Sequence, residues 1–124
     1  VQYNRGVYAA MLAAEAARKA QEIHGVADIT PAQMRDGMEA LELDAARLEA
    51  LGMTGFGPEL VVTCENHRGP GVGQMQQWNA ADKQWVKLSE FISADDEVIW
   101  PLVHEDAAAF RSETGIAQRE CPAG

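Results

Sequence analysis

The sequence predicts one α/β domain in which helices flank a strand, a glycine-rich loop and a β-hairpin. Alanine and other strong helix formers fill residues 7–24, which predicts a long helix. Two short segments that each carry a tryptophan lie on either side of the polar turn at residues 79–83, a pattern typical of a hairpin. A chain of 124 residues suffices for one domain with a modest core.

The first predicted helix covers residues 7–24. Its first half is apolar nearly all round, so we expect burial on several sides, and its small side chains allow close approach to a sheet. His24 in the last turn and Gly25 beyond it form a helix stop. A second helix is predicted to begin at Thr30, which forms a capping box with Gln33.

Helix signals continue on both sides of the central segment. Asp44 caps a short predicted helix that runs to Leu51 and ends at Gly52. Near the end of the chain, Ser93 or Asp95 begins a final helical region, which the sequence predicts to be interrupted. In this interpretation Pro101 starts a second helix that runs to residue 114 and stops at residue 115.

The central segment, residues 59–92, predicts strand, loop and hairpin in that order. The apolar run at residues 60–63 is strand-like, and the Gly/Pro-rich stretch at residues 68–73 predicts a crossing or turn. That stretch is no phosphate loop, because it lacks the Lys-Ser/Thr ending and leads into no helix. Trp78 and Trp85 are expected to pair across the hairpin rather than to stack on a ligand.

Composition excludes several classes of partner. With 19 acidic and 10 basic side chains the net charge is −9, which disfavours nucleic acid and anionic membrane surfaces. No apolar run approaches the ~18 residues that span a bilayer, so we expect no membrane insertion. The chain begins at Val1, and residues 1–3 look like the middle of a strand, which suggests a piece of a longer protein or a processed one.

Catalysis and metal binding have one candidate, the Cys64–His67 pair. A cysteine beside a histidine can form a reactive thiolate, but no third orienting group is evident. A metal site needs more ligands, and His24 and His104 lie in separate predicted helices. The acidic run at residues 95–97 is expected to begin a helix, not to bind calcium. We therefore expect no catalytic residue, no metal, no cofactor and no enzyme activity.

The two cysteines allow two interpretations. Cys64 and Cys121 are either two core thiols or one disulfide, and we favour the disulfide. It would close a long loop and stabilise the fold by about 4 kcal/mol on the chain-entropy model. A disulfide would require an oxidising compartment.

Three segments, in order, resemble the C-terminal third of the branched-chain amino-acid (Leu/Ile/Val-binding-like) substrate-binding proteins of ABC transporters. They are YNRGVYAAMLAAEA at residues 3–16, ITPAQMRDGMEAL at 29–41, and CENHRGPGVGQMQQW at 64–78 with WVKL at 85–88. The resemblance implies a type I periplasmic binding fold, whose two lobes are three-layered and joined by crossover strands. Residues 1–124 would form a single C-terminal portion of it.

Within that fold the resemblance assigns a place to each part of the chain. Residues 1–60 would be a mainly helical lobe segment, residues 59–92 would contain the last interlobe crossing, and residues 93–118 a helix and tail. The strand before the long helix would bring Tyr3 to the ligand cleft, with Asn4 and Arg5 near its rim.

The same resemblance implies a function. The chain would belong to a periplasmic solute-binding component of an ABC uptake transporter, which holds an amino acid or small carboxylate between two lobes and delivers it to the permease. Its partners would be the solute, the remainder of the parent protein and the permease. The alternative is a free-standing small α/β interaction module that assembles with partner chains, because an incomplete lobe exposes sheet edges and apolar surface.

Overall fold

The structure is a computed structural model that describes residues 2–121. Within that range the chain is a mixture of helices and short antiparallel strands. The four helices are α1 (Gln2–His24), α2 (Pro31–Glu39), α3 (Ala45–Ala50) and α4 (Asp96–Thr114). The six strands are β1 (Glu42–Leu43), β2 (Leu60–Val61), β3 (Val72–Gly73), β4 (Gln76–Asn79), β5 (Gln84–Lys87) and β6 (Ile92–Ser93).

The mixed helix-and-sheet class is as predicted, but the finer fold is not established. Every strand pair among residues 2–121 is antiparallel: β1 with β2, β3 with β6, and β4 with β5. The three-layered lobes and crossover strands implied by the family resemblance are not confirmed. The chain divides into two compact units, one ending at Pro70 and the other beginning at Gly71.

Helix α1 begins earlier than the sequence predicts. It starts at Gln2 rather than at residue 7, so Tyr3, Asn4 and Arg5 are helical and the expected strand at the start of the chain is wrong. Val1 lies outside the described residues. The C-terminal stop is confirmed, since the Gly25 amide donates to the Gln21 carbonyl at 2.8 Å and Gly25 has a φ of 64°.

Helices α2 and α3 begin at the predicted caps. The Thr30 hydroxyl accepts from the Gln33 amide, and the Gln33 side chain accepts in return from the Thr30 amide at 2.8 Å. The Asp44 carboxylate accepts from the Arg47 amide at 2.7 Å. These bonds satisfy amide donors that a helix start otherwise leaves without a partner.

The small residues of α1 pack against a helix rather than against a sheet. Ala16 and Ala20 are fully buried, and Gly37 of α2 lies directly on them. A Cβ on Gly37 would come within 2.7 Å of the Ala20 Cβ and would overlap the Ala16 carbonyl oxygen. Alanine on one helix and glycine on the other therefore let α1 and α2 approach closely.

The core of the first unit forms where β1 and β2 meet the helices. Glu42 lies opposite Val61 and Leu43 opposite Leu60, and the ladder extends by a bond from the Val62 amide to the Leu41 carbonyl at 2.9 Å. The buried core side chains are Met11, Leu41, Leu43 and Leu48. Strand β1 was not predicted, although Leu41 and Leu43 are buried and Glu42 is exposed, which is a strand alternation.

Residues 71–94 of the second unit contain two antiparallel strand pairs, β3 with β6 and β4 with β5. The two ends of this stretch are joined by the β3–β6 pair and by a hydrogen bond from the Ala94 amide to the Gly71 carbonyl. Between β3 and β6 in the sequence lies the predicted hairpin, in which β4 pairs with β5 and Trp78 lies opposite Trp85. The hairpin prediction is confirmed, and the turn includes Lys83 with a φ of 51°.

Helix α4 is continuous where the sequence predicted a break. Asp95 caps it by accepting from the Glu97 amide at 3.2 Å, and Gly115 ends it in the left-handed conformation with a φ of 72°. Pro101 lies inside the helix instead of starting a second one. None of its residues is buried.

Candidate functional site

An apolar groove in the first unit is the main candidate site. It lies between α1, α2 and β2, has a volume of about 400 Å³ and is open to solvent on one side. We call it the α1–α2 groove. Its apolar lining comes from Ala9, Leu12, Ala13, Ala16, Met34, Met38, Leu41, Leu60 and Val62. The volume lies within the ~300–1,000 Å³ range of binding pockets.

Polar side chains at the edge of the groove already have partners. The Glu39 side chain is 11% exposed, and its Oε1 lies 3.3 Å from Nε2 of His67. The guanidinium of Arg35 lies 3.2 Å from the Asp36 carboxylate. The groove therefore offers a wide apolar surface whose few charged neighbours are paired with one another.

An ion cluster around the buried carboxylate of Glu15 links α1 to α3. Arg47 donates from Nε and from an Nη to the two oxygens of Glu15, both at 2.7 Å, and Arg18 donates to the same carboxylate at 3.2 Å. Glu15 is buried, while Arg47 is one-third exposed. The two parallel bonds give this pair the fork geometry that makes arginine–carboxylate pairs strong.

Burial and pairing shift the protonation of two groups in this unit. The hydrogen bonds from Arg47, helped by Arg18, hold the pKa of Glu15 below its ordinary value despite its burial. Burial raises the pKa of Tyr8, whose ring stacks on Phe56 at a centroid distance of 6.3 Å. Glu15 is therefore ionised at neutral pH and belongs to the scaffold rather than to proton chemistry.

The residues predicted to bind a ligand lie apart from the groove. Tyr3, Asn4 and Arg5 are in the first turns of α1, and the Tyr3 side chain is 82% exposed. Asn4 and Arg5 are exposed as well, and the three do not line the α1–α2 groove. Ligand contact at these residues stays a prediction.

The cysteines form the predicted disulfide. Cys64 and Cys121 are both disulfide-bonded, and they are the two cysteines of the chain. The Cys64 sulfur is therefore no thiolate, and His67 pairs with Glu39 instead. Among residues 2–121, no group of three or more His, Cys, Asp or Glu side chains is placed to hold a metal ion.

The second unit presents aromatic side chains to solvent. Trp78 and Trp85 pack edge to face with their centroids 5.6 Å apart, as the cross-strand prediction requires. Both are about half exposed. Trp100 stacks on His104 one turn later in α4, at 5.7 Å.

Sequence reasoning missed the α1–α2 groove and the Glu15 cluster. Both are built from side chains that lie far apart in the chain, such as Glu15 and Arg47. One signal was available: Glu15 is an acidic residue within an alanine run, and a buried position there demands a cation. The sequence does not indicate which cation supplies it.

No helix among the described residues is long and apolar enough to cross a membrane. No protein-family model matches the chain, and no curated protein matches it. A crystal structure described as an ABC transporter permease from the Pseudomonas fluorescens group is similar to it, with a TM-score of 0.87 and 38% sequence identity. The similarity covers 97% of this chain but 28% of that one.

This similarity corrects the family prediction. The similar structure is an ABC transporter permease, so the prediction of a Leu/Ile/Val-binding-like substrate-binding protein is wrong. The expected role of holding a solute and delivering it to a permease is wrong for the same reason. The chain spans less than a third of the length of the permease that it resembles.

Proposed function

We propose that this chain is a structural segment of a longer ABC transporter protein of the permease type. The observation that carries the proposal is the similarity to the Pseudomonas permease, which extends over 97% of this chain with a TM-score of 0.87. At 38% identity, the likeness in sequence accompanies the likeness in fold. The transport activity would belong to the longer protein.

Surface composition supports a role inside a larger protein. Large apolar side chains are exposed in both units, including Met38 and Val61 in the first and Trp85, Leu88 and Phe110 in the second. Exposed apolar surface on this scale marks contact with other polypeptide. The strands of two residues in β1, β2, β3 and β6 also form sheets too small to be stable alone.

The disulfide supports a location for this segment. Disulfides persist in oxidising compartments such as the bacterial periplasm and are rare in the cytosol. Because Cys64 and Cys121 are bonded, we propose that the segment lies on the periplasmic side of the transporter.

The segment has no catalytic role in this proposal. The sulfur of Cys64 is bonded in the disulfide, and His67 pairs with Glu39. The two residues therefore do not act as a nucleophile and its base in this proposal. Glu15, the most buried acidic side chain, is neutralised by Arg47 and Arg18. In this proposal Glu15, Arg18 and Arg47 serve packing.

The size of the native polypeptide tests the proposal. We expect intact-mass analysis in the native source to find this sequence inside a polypeptide much larger than 13.5 kDa. Deleting the segment should abolish assembly of the transporter, measured by blue-native electrophoresis of the membrane fraction. A stable native polypeptide of 13.5 kDa that assembles with other chains would contradict the proposal and favour a free-standing interaction module.

The finer fold expectation remains a hypothesis about the longer protein. In a type I periplasmic binding fold, the helices of this chain would cover three-layer lobes whose central strands come from the remaining chain. An experimental structure of the longer protein tests this. Parallel strands stacked against α1 and α2 would support it, and an all-antiparallel sheet there would contradict it.

A further inference from the structure

We propose that the α1–α2 groove is the docking surface for an uncharged, apolar segment supplied by the remaining chain of the longer protein. The inference rests on the proposed function and adds the place of contact and its chemistry. It starts from a surface that the described chain leaves open: Met38 is 52% exposed, and Ala13 is exposed beside it.

The lining of the groove determines the chemistry of its occupant. Alanine, leucine, methionine and valine side chains provide almost all of the surface. Removing such surface from water stabilises by about 25 cal/mol per Å² of apolar area. A charged or strongly polar occupant would lose its hydration there without gaining a partner.

The polar groups at the edge argue against a small charged ligand. The Glu39 carboxylate is almost buried and lies 3.3 Å from His67, and Arg35 pairs with Asp36. The charged end of a ligand would have to displace one of these partners. An apolar polypeptide segment fills the groove and leaves both pairs intact.

The source of the occupant follows from the comparison with the permease. More than two-thirds of the permease chain lies outside the region that this chain matches, although the matched region has nearly the same fold. The remaining chain is therefore the nearest supply of an apolar segment that fills the groove.

Thiol labelling tests the occupant. Ala13→Cys places a thiol in the groove, and Glu22→Cys places one on the exposed polar face of the same helix as the matched control. Each variant is made in the 124-residue chain and in the longer native polypeptide, and N-ethylmaleimide labelling is read by peptide mass spectrometry. We expect Ala13→Cys to label at least about tenfold more slowly in the longer polypeptide, with Glu22→Cys nearly unchanged.

A second variant keeps the test decisive if a cysteine disturbs the helix. Met38→Lys puts a charge at the mouth of the groove, where the 124-residue chain should tolerate it because the side chain is half exposed. In the longer polypeptide the same change should lower the urea midpoint, because the charge would be buried without a partner. Equal tolerance in both would overturn the proposal.

Other outcomes separate this inference from the proposed function. If a longer polypeptide exists but Ala13→Cys labels equally in both forms, the docking surface is wrong and the proposed function stands. If protection appears in the 124-residue chain and rises with its concentration, the occupant is a second copy of this chain. If the native polypeptide has a mass of only 13.5 kDa, the proposed function fails and the docking surface fails with it.

Discussion

Gly37 lies where helices α1 and α2 come closest. We expect Gly37→Ala to lower the free energy of unfolding by about 1–3 kcal/mol, because the new methyl group would meet the Ala20 side chain and the Ala16 carbonyl oxygen. Urea denaturation followed by circular dichroism measures the change. Gly6→Ala is the matched control: nothing lies within 4 Å of a Cβ there, so helix propensity should raise stability by up to about 1 kcal/mol. Equal effects would contradict the close approach of the two helices.

Glu15 predicts a pH dependence of stability. Its pKa is lower in the folded chain than in the unfolded one because Arg47 and Arg18 donate to the ionised carboxylate. The stability that it contributes is therefore complete above the unfolded value of about 4.3 and is lost as the pH falls through the folded pKa.

The test compares Glu15→Gln with wild type by urea denaturation between neutral pH and pH 3. We expect the variant to be less stable at neutral pH, and the difference to shrink below about pH 4. Glu22→Gln is the control, because Glu22 is exposed and its bonds to Arg18 and Lys19 are surface pairs worth little. A difference that stays constant with pH would show that the Glu15 carboxylate is not the source.

At the scale of the element, helix α4 contains its own weak point. Pro101 removes an amide donor from the interior of the helix, and no residue of α4 is buried to compensate for the loss. We expect Pro101→Ala to increase helicity and to raise stability by about 1 kcal/mol or more, measured by circular dichroism and urea denaturation.

Pro31→Ala is the matched control, since Pro31 occupies the first position of α2, where a proline costs no hydrogen bond. That change should leave stability nearly unaltered. If Pro101→Ala also leaves stability unaltered, the interior proline does not destabilise α4.

Local signals predicted the element boundaries that depend on nearby residues. Thr30, Asp44, Asp95 and Gly115 all cap helices as the sequence indicates, because each cap bonds to a residue only a few positions away. Strand β1 escaped prediction because it has two residues and exists through its pairing with β2. The helical start of α1 was missed because valine and tyrosine at residues 1 and 3 are strand formers, and the family resemblance placed a strand there as well.

At the scale of the whole molecule, the disulfide closes the longest covalent loop. We expect the double variant Cys64→Ser with Cys121→Ser to lose about 4 kcal/mol of unfolding free energy on the chain-entropy model. Urea denaturation measures the loss. Reduced wild type should match the double variant, and dithiothreitol should leave that variant unchanged. A double variant as stable as the oxidised protein would contradict a stabilising role for the bond.

The site and the family were less predictable than the elements. The α1–α2 groove gathers side chains from residue 9 to residue 67, so no window of sequence contains it. The family prediction rested on three ordered segments rich in alanine and glycine. Their residues suit helices and turns, which many unrelated proteins also contain. The disulfide was predicted because it would close a long loop and hold a C-terminal tail that has no core-forming pattern.

The contact of Gly37 with α1 limits how this sequence can vary over evolutionary time. Most overpacked positions can be rescued by a smaller residue opposite, but one of the atoms facing Gly37 is the main-chain oxygen of Ala16, which every residue type shares. Replacing Ala20 with glycine would remove only one of the three close contacts, because the Ala16 oxygen and the Ala20 nitrogen both belong to the main chain. Position 37 therefore accepts only glycine unless the two helices move apart. We expect related sequences to keep this glycine even where their surface residues differ.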